Sequence, residues 1–255
     1  MITRINDFKA ELIGKENMFF NIDCMELLKK MPDNSISLAI VDPPYGMNAT
    51  NRRLDKTNRY VNLWGGTREN KIVMKGGSNG SLCKQKAYHP FDDSSPPNIE
   101  YFRELERVSE HRIIWGGNFL WEFLGKTSCM IVWDKGRRNM RQADCEIAWT
   151  DFPEQSRVFE WLWNGMLQQD MKNKEKRIHP TQKPVALYRW LIERFAKDGD
   201  VILDTHVGSA SSLIACHQTG HKFIGAEIDA VYYEDAKERF EAETAQASLF
   251  DLIKT

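Results

Sequence analysis

VILDTHVGSASS, residues 201–212, is the stretch that decides the fold. It opens as an unbroken apolar run closed by Asp204, the pattern of a strand covered on both faces of a parallel sheet. A tight turn follows, in which Gly208 allows close backbone approach to a ligand, and a helix is expected over 207–219. A helix start at Gly208 and Ser209 offers free N–H donors to an anionic group. The next strand, KFIGAE (222–227), ends in Glu227, 23 residues after Asp204. An acid at the end of a second strand is well placed to accept hydrogen bonds from ribose hydroxyls. The glycine spacing is not G-x-G-x-x-G, and an ordinary helix cap uses the same small polar residues. Taken alone, the stretch fits a nucleotide-binding turn and a plain helix start equally.

Working outward, helices are expected over 184–197 and 230–243. The C-terminal third then reads helix–strand–helix–strand–helix, the order of an α/β sheet with parallel strands. Toward the N-terminus lie a strand NMFFNI (17–22), a helix CMELLKKM (24–31) and a second continuous apolar strand, ISLAIV (36–41). A helix near 98–109 precedes the strand RIIW (112–115), and MIVW (130–133) and EIAW (146–149) look like a strand pair joined by a basic loop. The whole chain, 1–255, is expected to form one α/β domain with a seven-stranded, mostly parallel sheet and helices on both faces. Two segments lack periodicity. Residues 46–97 are polar and glycine-rich, and so long a segment inside a compact domain is usually functional; 151–178 form a shorter irregular region.

A hydrophobic share of 42% against 28% charged suits a soluble globular protein. No apolar run approaches the roughly 18–20 residues that span a bilayer. Charges run through the N-terminal stretch where a signal peptide needs an apolar core, so a cytoplasmic location is expected. Five cysteines (Cys24, Cys83, Cys129, Cys145, Cys216) show no C-x-x-C pair, which points to reduced thiols and to no metal site. The net charge of −1 excludes a uniformly basic nucleic-acid binder. The charges are nevertheless clustered: Arg52, Arg53, Lys56 and Arg59; then Lys135, Arg137, Arg138 and Arg141; then Lys172, Lys174, Lys176 and Arg177. A near-neutral chain with such clusters can still present one positive face to phosphates.

Asp42-Pro43-Pro44-Tyr45 follows the strand 36–41 directly. Ligands of open α/β sheets sit beyond the carboxyl ends of the strands, where this tetrapeptide falls. Two prolines fix φ and restrict each other, giving a rigid mount for an acid and an aromatic ring. The mount suits chemistry on an aromatic amine, whose lone pair is delocalised into its ring. The Asp42 side chain and the Pro43 carbonyl can each accept one amino hydrogen, directing the lone pair outward. Tyr45 can stack on an extruded base. The competing reading is a strand-ending turn, since D-P-P is also good turn chemistry.

At these residues the sequence resembles the amino-group (N6-adenine) DNA methyltransferases, whose catalytic motif is D-P-P-Y. The order here, catalytic motif before cofactor motif, looks like their permuted class β of phage and restriction–modification systems. The resemblance implies the S-adenosylmethionine-dependent methyltransferase fold, with the 201–204 strand beside the 36–41 strand. It implies S-adenosylmethionine as cofactor, held by Asp23, Thr181 and Lys183 of HPTQKP (179–184), Asp204, Gly208, Ser209 and Glu227. It implies catalysis by Asp42, Pro43, Pro44 and Tyr45 on adenine N6 of double-stranded DNA, with base flipping. The chain departs from the family at Thr205-His206, where Pro-Phe is usual, and at Ala210, where a second glycine is usual. His206 is expected to wall the cofactor pocket rather than act as a base.

Phosphate contacts are expected from Arg52, Arg53, Lys56 and Arg59, and from Lys135, Arg137, Arg138 and Arg141. Tyr60 and Trp64 suit the space a flipped base vacates, or simply the packing of a long loop. The segment 46–97, the region 151–178 and the Lys135–Arg141 loop each qualify to read the target sequence, and the residues do not choose among them. A homodimer and a cognate restriction enzyme are further partners of the kind the family has. The same fold also carries cytosine-N4 methylation, and a silent DNA-binding module would keep the fold without transfer; Asp42, rather than Ser, tilts the reading to adenine.

Overall fold

A computed structural model describes residues 1–47, 88–89, 93–138, 143–164 and 167–253, with side chains to residue 245. Its main sheet has eight strands: β1 (Met18–Asn21), β2 (Ile36–Val41), β3 (Ser109–Trp115), β4 (Met130–Asp134), β5 (Cys145–Thr150), β6 (Arg157–Glu160), β9 (Val201–Asp204) and β10 (Lys222–Glu227). Their order is β1-β10-β9-β2-β3-β5-β4-β6. A separate hairpin joins β7 (Trp163–Asn164) to β8 (Leu167–Gln168). Among the described residues five α-helices accompany the strands: α1 (Cys24–Leu28), α2 (Ile99–Val108), α3 (Val185–Phe195), α4 (Ser211–Gln218) and α5 (Ala230–Ile253).

The alternation of side chains along the strands explains the layers. Phe19, Leu38, Ile40 and Ile202 enter one core with α3, α4 and the start of α5. Their sequence neighbours Met18, Phe20, Ala39, Val41, Val201 and Leu203 enter the other core with α1 and α2. A strand with apolar residues in both phases must be covered on both faces, which is why ISLAIV and VILD lie in the middle of the sheet.

From β1 to β3 all pairing is parallel, and β3-β5 and β5-β4 are antiparallel. The sheet thus has one strand more than the seven expected. The addition is β6, parallel to β4 at the edge, drawn from the region that the sequence pattern left irregular. Its four residues, RVFE, alternate in burial, and so short an edge strand has little periodicity to show.

β2 and β9 are neighbours, with Leu38 opposite Ile202 and Ala39 opposite Leu203. The chain continues from β9 toward β10 on one side and from β2 toward β3 on the other, so the order reverses between them. A crevice opens at such a switch point, beyond the carboxyl ends of the strands. Antiparallel β5 places its first residues, Cys145 and Glu146, at that same end. No helix among the described residues is long and apolar enough to cross a membrane.

Candidate active site

A cavity of about 670 Å³ occupies the switch point. It lies within the range of roughly 300–1,000 Å³ usual for ligand pockets. Asp42, Pro43, Pro44 and Tyr45 line one side; Asp23, Thr181, Lys183, Gly208, Ser209 and Glu227 also line it. The structure therefore brings into one crevice all the expected catalytic residues and all the expected cofactor residues but Asp204.

The cofactor side is built on the turn after β9. The expected helix start at 207 is displaced to Ser211, because Gly208 (φ +55°) and Ala210 (φ +62°) both adopt left-handed backbone that a helix cannot hold. Glu227 braces this turn: one carboxylate oxygen accepts from the Gly208 N–H at 2.8 Å and the other from the Asp229 N–H at 3.0 Å. Burial raises the Glu227 pKa. Asp23 caps α1 by accepting from the Met25 N–H at 2.7 Å. His206 lines the cavity, and burial holds its pKa down to about 4, so the ring is neutral at pH 7. Its Nδ1 lies 2.9 Å from Thr205 Oγ1, which in turn meets the Tyr101 hydroxyl at 2.7 Å. Thr205-His206 is thereby accommodated in the wall.

Asp204 is the one expected cofactor residue that does not line the cavity. It is 2% exposed and sits behind the cavity, accepting from the His206 N–H at 3.0 Å and the Ser212 hydroxyl at 2.5 Å. Burial raises its pKa to about 7, with these two hydrogen bonds opposing the rise. These contacts tie it to the turn that follows β9.

The catalytic side is held differently. The carboxylate of Asp93 accepts from the backbone N–H groups of Tyr45 (3.0 Å) and Gly46 (3.2 Å), fixing the tetrapeptide from outside. The Tyr45 ring stacks on Phe119, with centroids 5.3 Å apart, and its hydroxyl donates to Asp42 Oδ1. Gly116 (φ +73°) backs that ring so closely that a Cβ there would lie 2.1 Å from Tyr45 Cε1. Lys183 donates to Asp42 Oδ2 and lies 3.2 Å from Glu146 Oε2. Lys183 thus faces Asp42 as well as the cavity, a contact beyond the cofactor role expected of it. Burial alone would raise the Glu146 pKa, yet Lys183 and Lys135 together hold it down to about 2.

Three loops are tied together behind the crevice. Arg239, from α5, donates to the Ser209 carbonyl at 2.6 Å and to Glu175 at 2.7 Å, and Glu175 also accepts from the Val185 N–H at 3.0 Å. The Ser211 hydroxyl donates to the Lys183 carbonyl at 2.7 Å. His179 lies edge-on to Tyr232 at 4.2 Å, and burial lowers its pKa to about 4.

The expected phosphate contacts fare unevenly. Lys135 is 8% exposed and paired with Glu146, so it does not face phosphates; antiparallel β4 and β5 turn it inward against the Trp133 ring. Arg137 donates to Asn164 at 2.9 Å and to the Ala143 carbonyl at 3.2 Å. Arg138 is exposed, in an ion pair with Asp134. Arg52, Arg53, Lys56, Arg59, Tyr60, Trp64 and Arg141 lie outside the described residues, as does most of 46–97. Asp93, Glu146 and Arg239 lie far along the chain from the motifs they support, and Glu175, though close to 179–184, sits in a stretch without periodicity; nothing local marks any of the four.

The fold and crevice define an α/β protein whose switch point holds a nucleotide-type turn beside an acid- and aromatic-bearing loop. Residues 134–238 match the sequence profile of a family described as DNA methylase (N6_N4_Mtase). The type II methyltransferase M2.DpnII of Streptococcus pneumoniae is 24% identical across 87% of this chain and 88% of its own length. M.HpaI of Haemophilus parainfluenzae is 42% identical over 71 residues, 28% of this chain and 23% of that protein. Among solved structures, PvuII DNA methyltransferase (cytosine-N4-specific) covers 91% of both chains at 14% identity with a TM-score of 0.53. A putative DNA modification methylase from Thermus thermophilus, complexed with S-adenosyl-L-methionine, covers 89% of this chain and 94% of its own at 17% identity, TM-score 0.50. By sequence the chain is related to DNA methyltransferases, and its fold is the one these methyltransferases share.

Proposed function

We propose that this protein is a DNA methyltransferase that transfers a methyl group from S-adenosylmethionine to the N6 amino group of adenine. The observation that carries the reading is the single crevice formed where β2 and β9 pair, lined by Asp42–Tyr45 on one side and the Gly208 turn with Glu227 on the other. The residues present suit the cofactor. In this reading Glu227 accepts from ribose hydroxyls, Asp23 from the adenine amino group, and the apolar Ile22 and Ile228 cover the faces of the adenine ring; all four line the cavity. Gly208, Ser209 and Thr181 are left for the methionine end. S-adenosylmethionine, when bound, supplies an electrophilic methyl group.

The chain's own residues then orient the acceptor. Asp42 and the Pro43 carbonyl accept the two amino hydrogens, which turns the nitrogen lone pair toward the donor side of the crevice. A base must leave the duplex to reach them, and the Tyr45 ring offers it a stacking face. Exposed Arg138 contributes to the grip on phosphates, with the basic residues near 52–59. The family resemblance adds a cognate restriction enzyme and self-association as partners. Nucleosides from DNA incubated with the protein and labelled cofactor, analysed by mass spectrometry, test the reading. N6-methyladenine is expected. N4-methylcytosine alone would replace adenine by cytosine as the target, and an absence of label would overturn methyl transfer altogether.

A further inference from the structure

Two buried ammonium groups and two carboxylates alternate along one wall of the crevice. Lys135 pairs with Glu146 Oε1, Lys183 lies 3.2 Å from Glu146 Oε2, and Lys183 pairs with Asp42 Oδ2. The Lys183 side chain is 3% exposed, so its charge depends on these partners and not on water.

The rigidity of the members differs. Glu146 stands near the start of β5, a strand hydrogen-bonded on both sides, with its backbone opposite Trp133 of β4. Lys183 ends in a compact charge on a flexible four-carbon stem. Asp42 can rotate about its own side-chain bonds. Each of its oxygens already accepts one donor, the Tyr45 hydroxyl at Oδ1 and Lys183 at Oδ2. The lone pair left to meet an amine is therefore set by where those donors stand.

We propose that Glu146 is a positioning residue: it anchors Lys183 to the sheet, and through Lys183 it fixes the Asp42 carboxylate facing the target amine. The proposal rests on reading Asp42 as the amine acceptor. Glu146 also balances the wall, because without it two buried ammonium groups would share one carboxylate.

The test removes the anchor without stranding a charge. Lys135→Met/Glu146→Leu replaces the ion pair as a unit with apolar side chains, a change that buried pairs often tolerate. It is compared with Lys135→Met, in which the carboxylate remains. The double variant is expected to lose about tenfold or more in kcat, while KM for DNA and Kd for S-adenosylmethionine stay within about twofold. Lys135→Met/Glu146→Asp is expected to recover part of the loss. Equal kcat in the double variant and in Lys135→Met would overturn the proposal. A parallel loss of cofactor binding or of thermal midpoint would also overturn it, by showing a merely structural role. If the double variant does not fold, Glu146→Gln in the native background is read by the same split. Wild-type transfer is measured first; its absence would remove the acceptor reading, whereas transfer without the split removes only Glu146.

Discussion

The two sides of the crevice are held by opposite means. On the catalytic side, charged side chains from distant segments converge: Asp42, Lys183, Glu146 and Lys135 alternate in sign within hydrogen-bonding distance. On the cofactor side, Asp204 and Glu227 accept from backbone N–H groups and a serine hydroxyl, and burial raises both pKa values. A paired acid stays charged when buried, whereas an acid braced mainly by backbone loses part of its hold on the charge. One side of the crevice therefore orders its acids through ion pairs between distant segments, and the other through donors of its own turn.

The largest effect expected from breaking this contrast is at Asp42. Asp42→Ala should lower transfer by about a thousandfold or more, since both an acceptor and its orientation are lost. Lys183 keeps Glu146 as a partner in that variant, so the fold should survive. Single-turnover kinetics together with circular dichroism check both halves. Activity near wild type would mean that the tetrapeptide is only a turn.

The next contrast uses glycines with similar φ on the two sides. Gly116 and Gly208 both sit in left-handed backbone, at +73° and +55°. A Cβ at Gly116 collides with the Tyr45 ring at 2.1 Å, while a Cβ at Gly208 meets His179 at an ordinary 3.8 Å. Gly116→Ala should displace Tyr45 and lower kcat about a hundredfold, because misplacement of about 1 Å costs that much. Gly208→Ala should cost about 1 kcal/mol of stability from the backbone and weaken S-adenosylmethionine binding, with kcat at saturating cofactor within a few-fold of wild type. Similar effects of the two substitutions on kcat would show that the Tyr45 position is not what the rate depends on.

The same contrast explains what could be read from the chain. Asp42–Tyr45 and VILDTHVG are contiguous, and each motif carries its own strand, so fold and crevice followed from order and apolar runs. The contact from Lys183 to Asp42 joins residues 141 positions apart, and nothing local announces it. Lys135 looked like part of a basic surface because neighbouring arginines set its context; the antiparallel partner strand, which supplies Glu146, turns it inward. Asp204 was legible as the end of a strand, but its hydrogen bonds with His206 and Ser212 depend on the turn that follows and were not. Periodicity reports which face is buried, and charge pairing across a sheet depends on register, which a single strand does not contain.

The smallest effect concerns that same buried acid. The Asp204 pKa rises from 3.8 to about 7 on folding. Between those values the unfolded chain has released a proton that the native protein still holds. Stability contributed by this group is therefore fully present below about pH 4 and is lost as pH rises toward 7, with a slope of at most about 1.4 kcal/mol per pH unit. Asp204→Asn cannot ionise and keeps an oxygen for the His206 N–H. Its stability relative to wild type should climb from pH 4 to pH 7 and level off above, as measured by urea unfolding across that range. A flat difference would mean that Ser212 and His206 compensate burial in full, so that this acid is held as firmly as Lys183 and Lys135 hold Glu146.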